Sequence, residues 1–350
     1  LQLSSADLSL ASDFRFKDNL ITVNQCEGKY LNSKFLIQSN LNTKNFPNLD
    51  TVANGRLSID LNDTKGFLKK FAKQWEAVNP KGSIDAKFNI NGNLKDIKSC
   101  AISAILTSPA ISLYGLKSQD IALTYNQENG LAEVSSLHAS LYDGMVEASA
   151  KMNLNSENLP YWIGMNLEGV KIEKLKFDTA FKEKDIAGTI VAEAKLNGFS
   201  NDLSKLNGAG KIVISEGKLW QLNLFKGLGE LLFAKDFANI VFSQGDASFM
   251  IQDKYIFSED IKLKSNFVNL SGTCKIGFDN SIDASANIEV LDELAPLSGT
   301  FKDIATAIIG QAGRFGVIKI SGTLKEPKYK FKPAVVDILK GLKDAIWGKQ

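Results

Sequence analysis

His138 is the only histidine of the chain, so a catalytic triad or a Cys-His site would have to be built around it. Ser140 follows two residues later, and in a strand the two side chains would share one face. The motif contains no acid that would orient the imidazole, and a lone strand histidine is commonly a solvated or hydrogen-bonded residue. We therefore expect no catalysis at His138, and one histidine also excludes a multi-histidine metal site.

The cysteines are equally uninformative as chemical groups. Cys26, Cys100 and Cys274 lack any paired spacing, which excludes Cys-rich zinc modules and a disulfide scaffold. Three cysteines are compatible with a reducing or an oxidising compartment, so they do not locate the protein. The sequence predicts no metal ion and no cofactor.

Three further motifs have ordinary explanations. Asp292 and Glu293 begin a helical segment, where acidic residues complement the helix dipole. The segment Gly208-Ala-Gly210 precedes a strand, so it is not a phosphate-binding loop. Lysines such as Lys262 and Lys264 are spread along strand faces without an aromatic partner cluster, and we expect no nucleic-acid binding.

The composition also indicates a protein with few candidate catalytic or metal-binding groups. The 350 residues include 41 Lys and Arg against 39 Asp and Glu, a net charge of +2, with 44% hydrophobic and 23% charged residues. Such a chain is neither disordered nor a polyanion binder in bulk. We therefore expect a non-catalytic protein, and the length favours about two domains.

The dominant pattern is a strict alternation of apolar and polar residues with period two. It is clearest in residues 57–61, 84–91, 189–197, 261–264, 268–271 and 282–290. Each such segment would be a strand with one apolar and one wet face, which is typical of antiparallel sheets. Asn91-Gly92, Asn129-Gly130 and Asp143-Gly144 punctuate these runs and predict hairpins or bulges.

The alternating segments also repeat at long intervals. Residues 82–97 resemble residues 188–203 at an offset of 106, and residues 318–324 share the same strand ending. Residues 146–154 resemble residues 270–278 at an offset of 124. The repeats favour an elongated stack of similar β units. A large β-sandwich whose strands merely share composition is the alternative.

Four segments change to helical period, near residues 64–78, 222–238, 300–312 and 334–350. The last one lies in a stretch from Lys325 with a net charge of +4, and its apolar face is formed by Val335, Ile338, Leu339, Leu342, Ile346 and Trp347. This helix would either bind an anionic membrane surface or cap the open end of a sheet stack. We expect no transmembrane helix here, and any membrane anchor would lie upstream of Leu1.

One-sided apolar strands leave two structural alternatives. If the strands close into a barrel or sandwich, the apolar faces cover one another. If they curl without closing, they leave an apolar trough, and its exposure to water costs roughly 25 cal/mol per Å². Acyl chains are the natural filling of such a trough.

Several motifs in order resemble the AsmA-like family. They are the Gly-x-Gly strand, turn and apolar segment in 208–232, the strands around 247–273, the closing strand and Pro in 318–327, and the Tyr-x-Gly turn within 137–148. The good match covers about residues 180–330, with a looser one over 80–155.

The resemblance implies an elongated, curled antiparallel β-sheet with a hydrophobic groove, often called a β-taco, with a few short helices. It is related to TamB and to bridge-like lipid transfer proteins. Such proteins are anchored in the inner membrane of diderm bacteria and are implicated in moving phospholipid through the periplasm. The family brings no catalytic residues. The chain is short for a full bridge, which makes it the expected C-terminal portion of a longer protein.

We therefore predict a periplasmic segment that carries phospholipid acyl chains between the inner and outer membranes. The predicted groove residues are Ile212, Ile214, Phe249, Ile251, Leu263, Leu270, Ile276 and Phe278. The predicted divisions are upstream groove repeats in 1–180, the AsmA-like region in 181–333, and the terminal helix in 334–350. The alternatives are a structural module for outer-membrane assembly with a closed apolar core, and an enzyme that depends on His138.

Overall fold

The structure is a computed structural model, and it describes residues 2–4, 7–64, 78–200, 202–218, 241–266, 268–291 and 314–333. The described chain is mainly antiparallel β, as predicted, and the sheet does not close. The strands are β1 Gln2–Ser4, β2 Leu8–Lys17, β3 Leu20–Tyr30, β4 Ser33–Asn42, β5 Asp50–Asp60, β6 Lys81–Asn93, β7 Ala101–Leu113, β8 Leu116–Glu128, β9 Leu131–Leu141, β10 Gly144–Asn153, β11 Pro160–Lys171, β12 Ala187–Phe199, β13 Asp202–Lys218, β14 Gln244–Gln252, β15 Tyr255–Lys264, β16 Val268–Gly277, β17 Ser281–Val290, β18 Arg314–Thr323 and β19 Pro327–Pro333.

The chain divides into two compact units. Unit 1 comprises residues 1–167 and 197–203, and unit 2 comprises residues 168–196 and 204–350. In unit 1 each strand from β1 to β10 pairs antiparallel with the next strand along the chain. In unit 2 the same sequential pairing runs from β13 to β19. Sequential pairing places every strand beside the residues it adjoins in sequence, so short turns suffice.

Tight turns connect many of the successive antiparallel strands. Asn129 and Gly130 have φ values of 50° and 77° and form the predicted turn between β8 and β9. Tyr142 and Asp143, at 47° and 66°, form the next turn. Positive φ at both central residues matches the twist of the paired strands. The prediction of a turn or bulge at 91–92 is wrong, because both residues lie inside β6 in unbroken register with β5.

The sequence repeats correspond to matching strands. β6 and β12 each have 13 residues and lie 106 residues apart. Gly82 and Gly188, at the second position of the two strands, both have positive φ, 111° and 143°. β10 and β16 each have 10 residues and lie 124 residues apart. The repeated unit is therefore a strand of conserved length and local geometry within this chain.

Helical structure is scarce in the described residues. α1, Ile172–Leu175, is followed by a 3-10 turn at Lys176–Asp178, and another 3-10 turn spans Leu94–Asp96. The predicted helix near 64–78 falls almost entirely on residues outside the described ranges. Those near 222–238, 300–312 and 334–350 lie outside them altogether. Within the ranges that are described, no helix has the length and apolar character needed to cross a membrane.

A buried carboxylate ties three strands of unit 1 together. Asp63, only 8% exposed, accepts hydrogen bonds from the backbone N–H groups of Asn32 and Ser33, at 2.8 Å each, and from the Ser33 hydroxyl at 2.7 Å. Burial by itself raises the pKa of Asp63, but the hydrogen bonds from Ser33 and Asn32 together bring that pKa below its ordinary value. The turn between β3 and β4 is thereby fixed to the chain that leaves β5.

Candidate functional site

One face of unit 1 carries an apolar row that crosses nine strands. Its members lie opposite one another in register from β2 to β10, so they are direct cross-strand neighbours. The central apolar row consists of Leu10, Gly28, Phe35, Leu57, Ala86, Leu106, Leu123, Leu137 and Ala148. With strands about 4.8 Å apart, the row extends roughly 38 Å along the sheet.

A second row of the same face lies two residues away on each strand, except on β9, where a bulge makes the spacing three residues. It comprises Ser12, Cys26, Ile37, Gly55, Phe88, Ala104, Tyr125, Val134 and Ala150. The two rows form a continuous surface without a charged side chain, which we call the apolar face of unit 1. Period-two alternation sends the charged neighbours to the opposite face.

Most of the apolar side chains on this face are not fully buried. In the central row only Ala86, 8% exposed, is buried, and the larger side chains remain partly exposed to solvent. At the β2 end, Phe14 and Phe16 on the same face are 52% and 63% exposed. Apolar surface of this extent usually marks an interaction or ligand site.

Glycine and phenylalanine form a recurring pair on the face. Phe88 lies opposite Gly55, and a Cβ at Gly55 would stand 2.7 Å from the Phe88 ring and 2.6 Å from the Leu36 carbonyl oxygen. Gly28 meets the ring of Phe35 in the same way. Each ring occupies the space that a side chain on the neighbouring strand would take. The two pairs therefore contribute aromatic rings to the apolar face of unit 1.

A polar cluster bounds the face near the connection between β6 and β7. The side-chain amide of Gln127 donates to the carbonyl oxygens of Ile97, Lys98 and Cys100 at 2.7, 3.2 and 3.1 Å. Gln127 also accepts a hydrogen bond from the Tyr125 hydroxyl at 2.7 Å. All polar atoms in the cluster are thus satisfied within the protein, and it closes this margin of the face.

Seven of the eight predicted groove residues lie on one face of unit 2. Ile214, Leu263 and Leu270 belong to a single row, joined through Gly245, and Ile251 and Ile276 belong to another, joined through Ile256. Ile212 and Phe249 complete the set on β13 and β14 of the same face. Phe278 follows the end of β16 and is 42% exposed.

The exposure of these residues differs along unit 2. Ile212, Ile214, Phe249, Ile251, Leu263 and Ile276 are partly exposed, whereas Leu270 is 5% exposed. Leu270 continues in register to Ile288, which is 0% exposed. On β18, Ile318 and Ile320 are likewise buried. The face is therefore covered around Leu270, Ile288 and Ile318, and it is open at the partly exposed residues of β13–β15 and at Ile276 on β16.

The second predicted site cannot be placed. Val335, Ile338, Leu339, Leu342, Ile346 and Trp347 all lie outside the described residues. The membrane-surface helix stays a prediction.

The chemically capable groups do not converge on the apolar face. His138 lies on the opposite face, where its Nδ1 is 3.2 Å from a carboxylate oxygen of Glu147. The hydroxyl of Ser140 donates instead to Asp120 at 3.4 Å. Burial, and to a lesser degree Asp96, raises the pKa of the Cys100 thiol, which keeps it a poor nucleophile. Among the described residues, no group of three or more His, Cys, Asp and Glu is placed to hold a metal.

The groove residues predicted from the sequence do not include any residue of the apolar face of unit 1. The alternation over 57–61 and 84–91 already marks Leu57, Ala86 and Phe88 as one-sided strand residues. It cannot show that they align with Leu106 and Leu123 in one row, because register depends on turns and bulges. The alternation within each strand was visible in the sequence, but the alignment of these residues in one row is visible only from the strand pairing.

The comparison with known families gives one match. The model of the AsmA family matches residues 31–245, more than half of the chain, and covers β4 to β13 completely. No curated protein and no solved structure matches the chain.

Proposed function

The chain belongs to the AsmA family, and from that premise we propose that it binds and conducts phospholipid acyl chains along the apolar face of unit 1. Family membership is consistent with a role in lipid transport or outer-membrane assembly. The observation that carries the finer proposal is the central apolar row, which is uncharged over nine strands and partly exposed on all of them except β6, where Ala86 is buried. Within unit 2, we propose the same role for the partly exposed residues of β13–β15.

The length and chemistry of the row suit an extended hydrocarbon. A path of roughly 38 Å exceeds the length of a single acyl chain, so a lipid can occupy successive positions along it. Each methylene group that leaves water contributes about 0.8 kcal/mol. The face offers no charged group, so neighbouring positions bind an acyl chain almost equally. Similar affinity along a path is what sliding without an enzyme requires.

The proposed compartment follows from the family. We place the protein in the periplasm of a diderm bacterium, with the full-length protein held in the inner membrane and lipid passing toward the outer membrane. In this role no residue acts as a catalyst and no cofactor takes part.

Photo-cross-linking at two adjacent positions tests the acyl-chain proposal. Leu137 lies in the central row, and its neighbour His138 lies on the opposite face. Benzoylphenylalanine is placed at one or the other, and the protein is irradiated with vesicles of phosphatidylethanolamine and phosphatidylglycerol that carry radiolabelled acyl chains. Label should attach at position 137 and not at position 138.

The variants must be folded for the comparison to count. Each should retain the urea unfolding midpoint of the parent protein. Equal labelling at the two positions, or label at 138 alone, would contradict the proposal. Mass spectrometry of gently extracted protein should also detect co-purified phospholipid, and a protein free of lipid would count against it.

A second function is favoured for one part of unit 2. Val268, Ile288 and Ile318 are each 0% exposed and lie on β16, β17 and β18. A covered face of this kind serves packing rather than transport, so β16–β18 would be a structural element of an outer-membrane assembly protein. Cross-linking distinguishes the two roles: benzoylphenylalanine at Ile251 on β14 should capture acyl chains if this end of unit 2 conducts lipid, and should capture none if all of unit 2 is structural.

A further inference from the structure

The polar face of unit 1 contains a cavity that the proposed acyl-chain function does not use. It has a volume of about 470 Å³ and opens on β4 to β7. One row of its lining is formed by Leu36, Arg56, Lys87 and Ile105, which lie opposite one another in register. All four alternate with members of the apolar face, so the cavity lies on the other side of the sheet.

The arrangement of charge in this row is unusual. Arg56 and Lys87 are direct cross-strand neighbours, and like charges in that position repel each other. Neither forms an ion pair or a hydrogen bond within the described part of the chain. Two adjacent cations without a partner are a favourable place for an anion, because an oxyanion bound between them would replace repulsion by attraction.

The second row of the lining adjusts this charge. Lys34, Ser58, Asp85 and Thr107 follow one another in register, two residues away from the first row and so about 7 Å distant. Lys34 brings the number of cations to three, and Asp85 is the single carboxylate. The lining is therefore +2, and Ser58 and Thr107 offer hydroxyl groups that can donate to an oxyanion.

The two ends of the first row are apolar. Ile105 is 58% exposed and Leu36 is 38% exposed, although both lie on the polar face of the sheet. A free inorganic anion would gain nothing from them. A ligand that joins an oxyanion to a hydrocarbon group would contact the cations at the centre and the apolar side chains at the margin.

We propose that this cavity, which we call the cationic cavity, binds an anionic amphiphile, a phosphate or similar oxyanion that carries a hydrocarbon group. Arg56 and Lys87 hold the oxyanion, and Leu36 or Ile105 contacts the hydrocarbon. The volume is within the range of small-molecule sites. Phe35, Leu57 and Ala86 of the central apolar row also line the cavity. The inference still stands independently of acyl-chain binding on the opposite face, because that binding uses neither Arg56 nor Lys87.

Methyl NMR can separate the two faces within a single strand. Ile105 lies in the cationic cavity, and Ile102 on the same strand faces the apolar side. Full-length protein with labelled isoleucine methyl groups is titrated with hexyl phosphate, with hexanol and with inorganic phosphate. The Ile105 signal should shift saturably with hexyl phosphate, more weakly with inorganic phosphate, and not with hexanol.

Charge variants provide the decisive control. Arg56→Gln and Lys87→Gln together should weaken hexyl phosphate binding at Ile105 by roughly a hundredfold, about tenfold for each lost cation. Lys211→Gln removes one charge from β13, which contributes no residue to the lining of the cavity, and should leave binding unchanged. The melting temperature of the double variant should be equal to or above that of the parent, since a repulsion is removed.

Three outcomes would overturn the inference: no shift of Ile105 with hexyl phosphate, a shift that survives in the double variant, or equal affinity for hexyl phosphate and inorganic phosphate. A shift of Ile102 alone would support the acyl-chain proposal and reject the cationic cavity. A shift of Ile105 with none at Ile102 would do the reverse.

Discussion

The apolar faces of unit 1 and of the β16–β18 part of unit 2 are built from the same alternation but end in different states. In unit 1 the large side chains of the central row, such as Leu106 and Leu123, remain partly exposed. In unit 2, Ile288 and Ile318 are completely buried. Identical strand chemistry therefore supports two uses, a surface that can accept a ligand and a packed core.

The contrast also shows what a one-sided strand leaves undecided. Period-two alternation defines which residues share a face, but the same apolar residues serve an open or a covered face equally well. Each unit pairs every strand with its neighbour, so topology does not distinguish them either. The difference lies in how completely the face is covered.

The largest expected difference comes from truncating one isoleucine in each unit. Ile288→Ala should cost about 3 kcal/mol of unfolding free energy, because it leaves a cavity in a fully buried site. Ile102→Ala should cost about 1 kcal/mol, because Ile102 is already in contact with solvent. Urea titration measures both values, and equal costs would remove the distinction between the two faces.

The next effect concerns the carboxylate that secures the turn between β3 and β4 of unit 1. Asp63→Asn should cost roughly 2 kcal/mol at neutral pH, because the backbone N–H groups of Asn32 and Ser33 lose a charged acceptor. The folded-state pKa of Asp63 is lowered, so its contribution is present above the unfolded value near 3.9 and is lost as the pH falls through the folded value.

The test is therefore the dependence of stability on pH. Urea unfolding of the parent and the variant should differ at pH 7 and converge in strong acid. Asp18→Asn, at an exposed turn residue with φ 51°, serves as the control and should change little. A difference between parent and Asp63→Asn that persists at low pH would show that the charge of Asp63 is not its cause.

A smaller effect should appear in the glycine and phenylalanine pairs, which both units share. Gly55→Ala places a methyl group 2.7 Å from the Phe88 ring, and overpacking of this kind costs roughly 1 to 2 kcal/mol. Gly164→Ala meets only the Ser149 hydroxyl at 3.5 Å and is the matched control on β11. In unit 2, Gly210 faces the ring of Phe249. If Gly55→Ala lowered the free energy of unfolding and Gly210→Ala did not, the glycine and phenylalanine pairs of the two units would not be equivalent.

The smallest effect tests the polar face of unit 2. The Lys275 ammonium lies 3.8 Å from the centre of the Tyr255 ring and 5.3 Å from that of Phe257. Lys275→Gln should cost about 0.5 kcal/mol, as expected for a partly exposed cation–π contact. Lys211→Gln, at a lysine that contacts no aromatic ring among the described residues, should be neutral. Thermal unfolding at low and high salt measures the difference, and a neutral Lys275→Gln would deny the contact any energetic role.

Much of the strand layout could be predicted, and the reasons are local. Val146, Ala148 and Ala150 alternate with polar residues, which is sufficient to assign β10 and its faces. The turn at 129–130 was readable because asparagine followed by glycine tolerates positive φ. The glycine at 92 misled, because its positive φ of 144° is accommodated within a strand.

The candidate sites were less accessible to sequence reasoning. Leu270 looks like Leu106 in sequence, yet one is buried and the other is partly exposed. Arg56 and Lys87 are 31 positions apart, and neither marks a site by itself. Only the pairing of β5 with β6 makes them neighbours.

The amino-acid sequence by itself determined the class of fold and the strand faces, because each depends on residue type and short-range spacing. Only the tertiary structure decided the register of nine strands, the solvent exposure of each apolar row, and the meeting of Arg56 with Lys87 beside Ile105. Register and coverage are sums over contacts between distant segments, and a one-residue slip would reverse the faces. The local alternation assigns residues to the two faces of each strand, and only the long-range pairing aligns those residues into a surface.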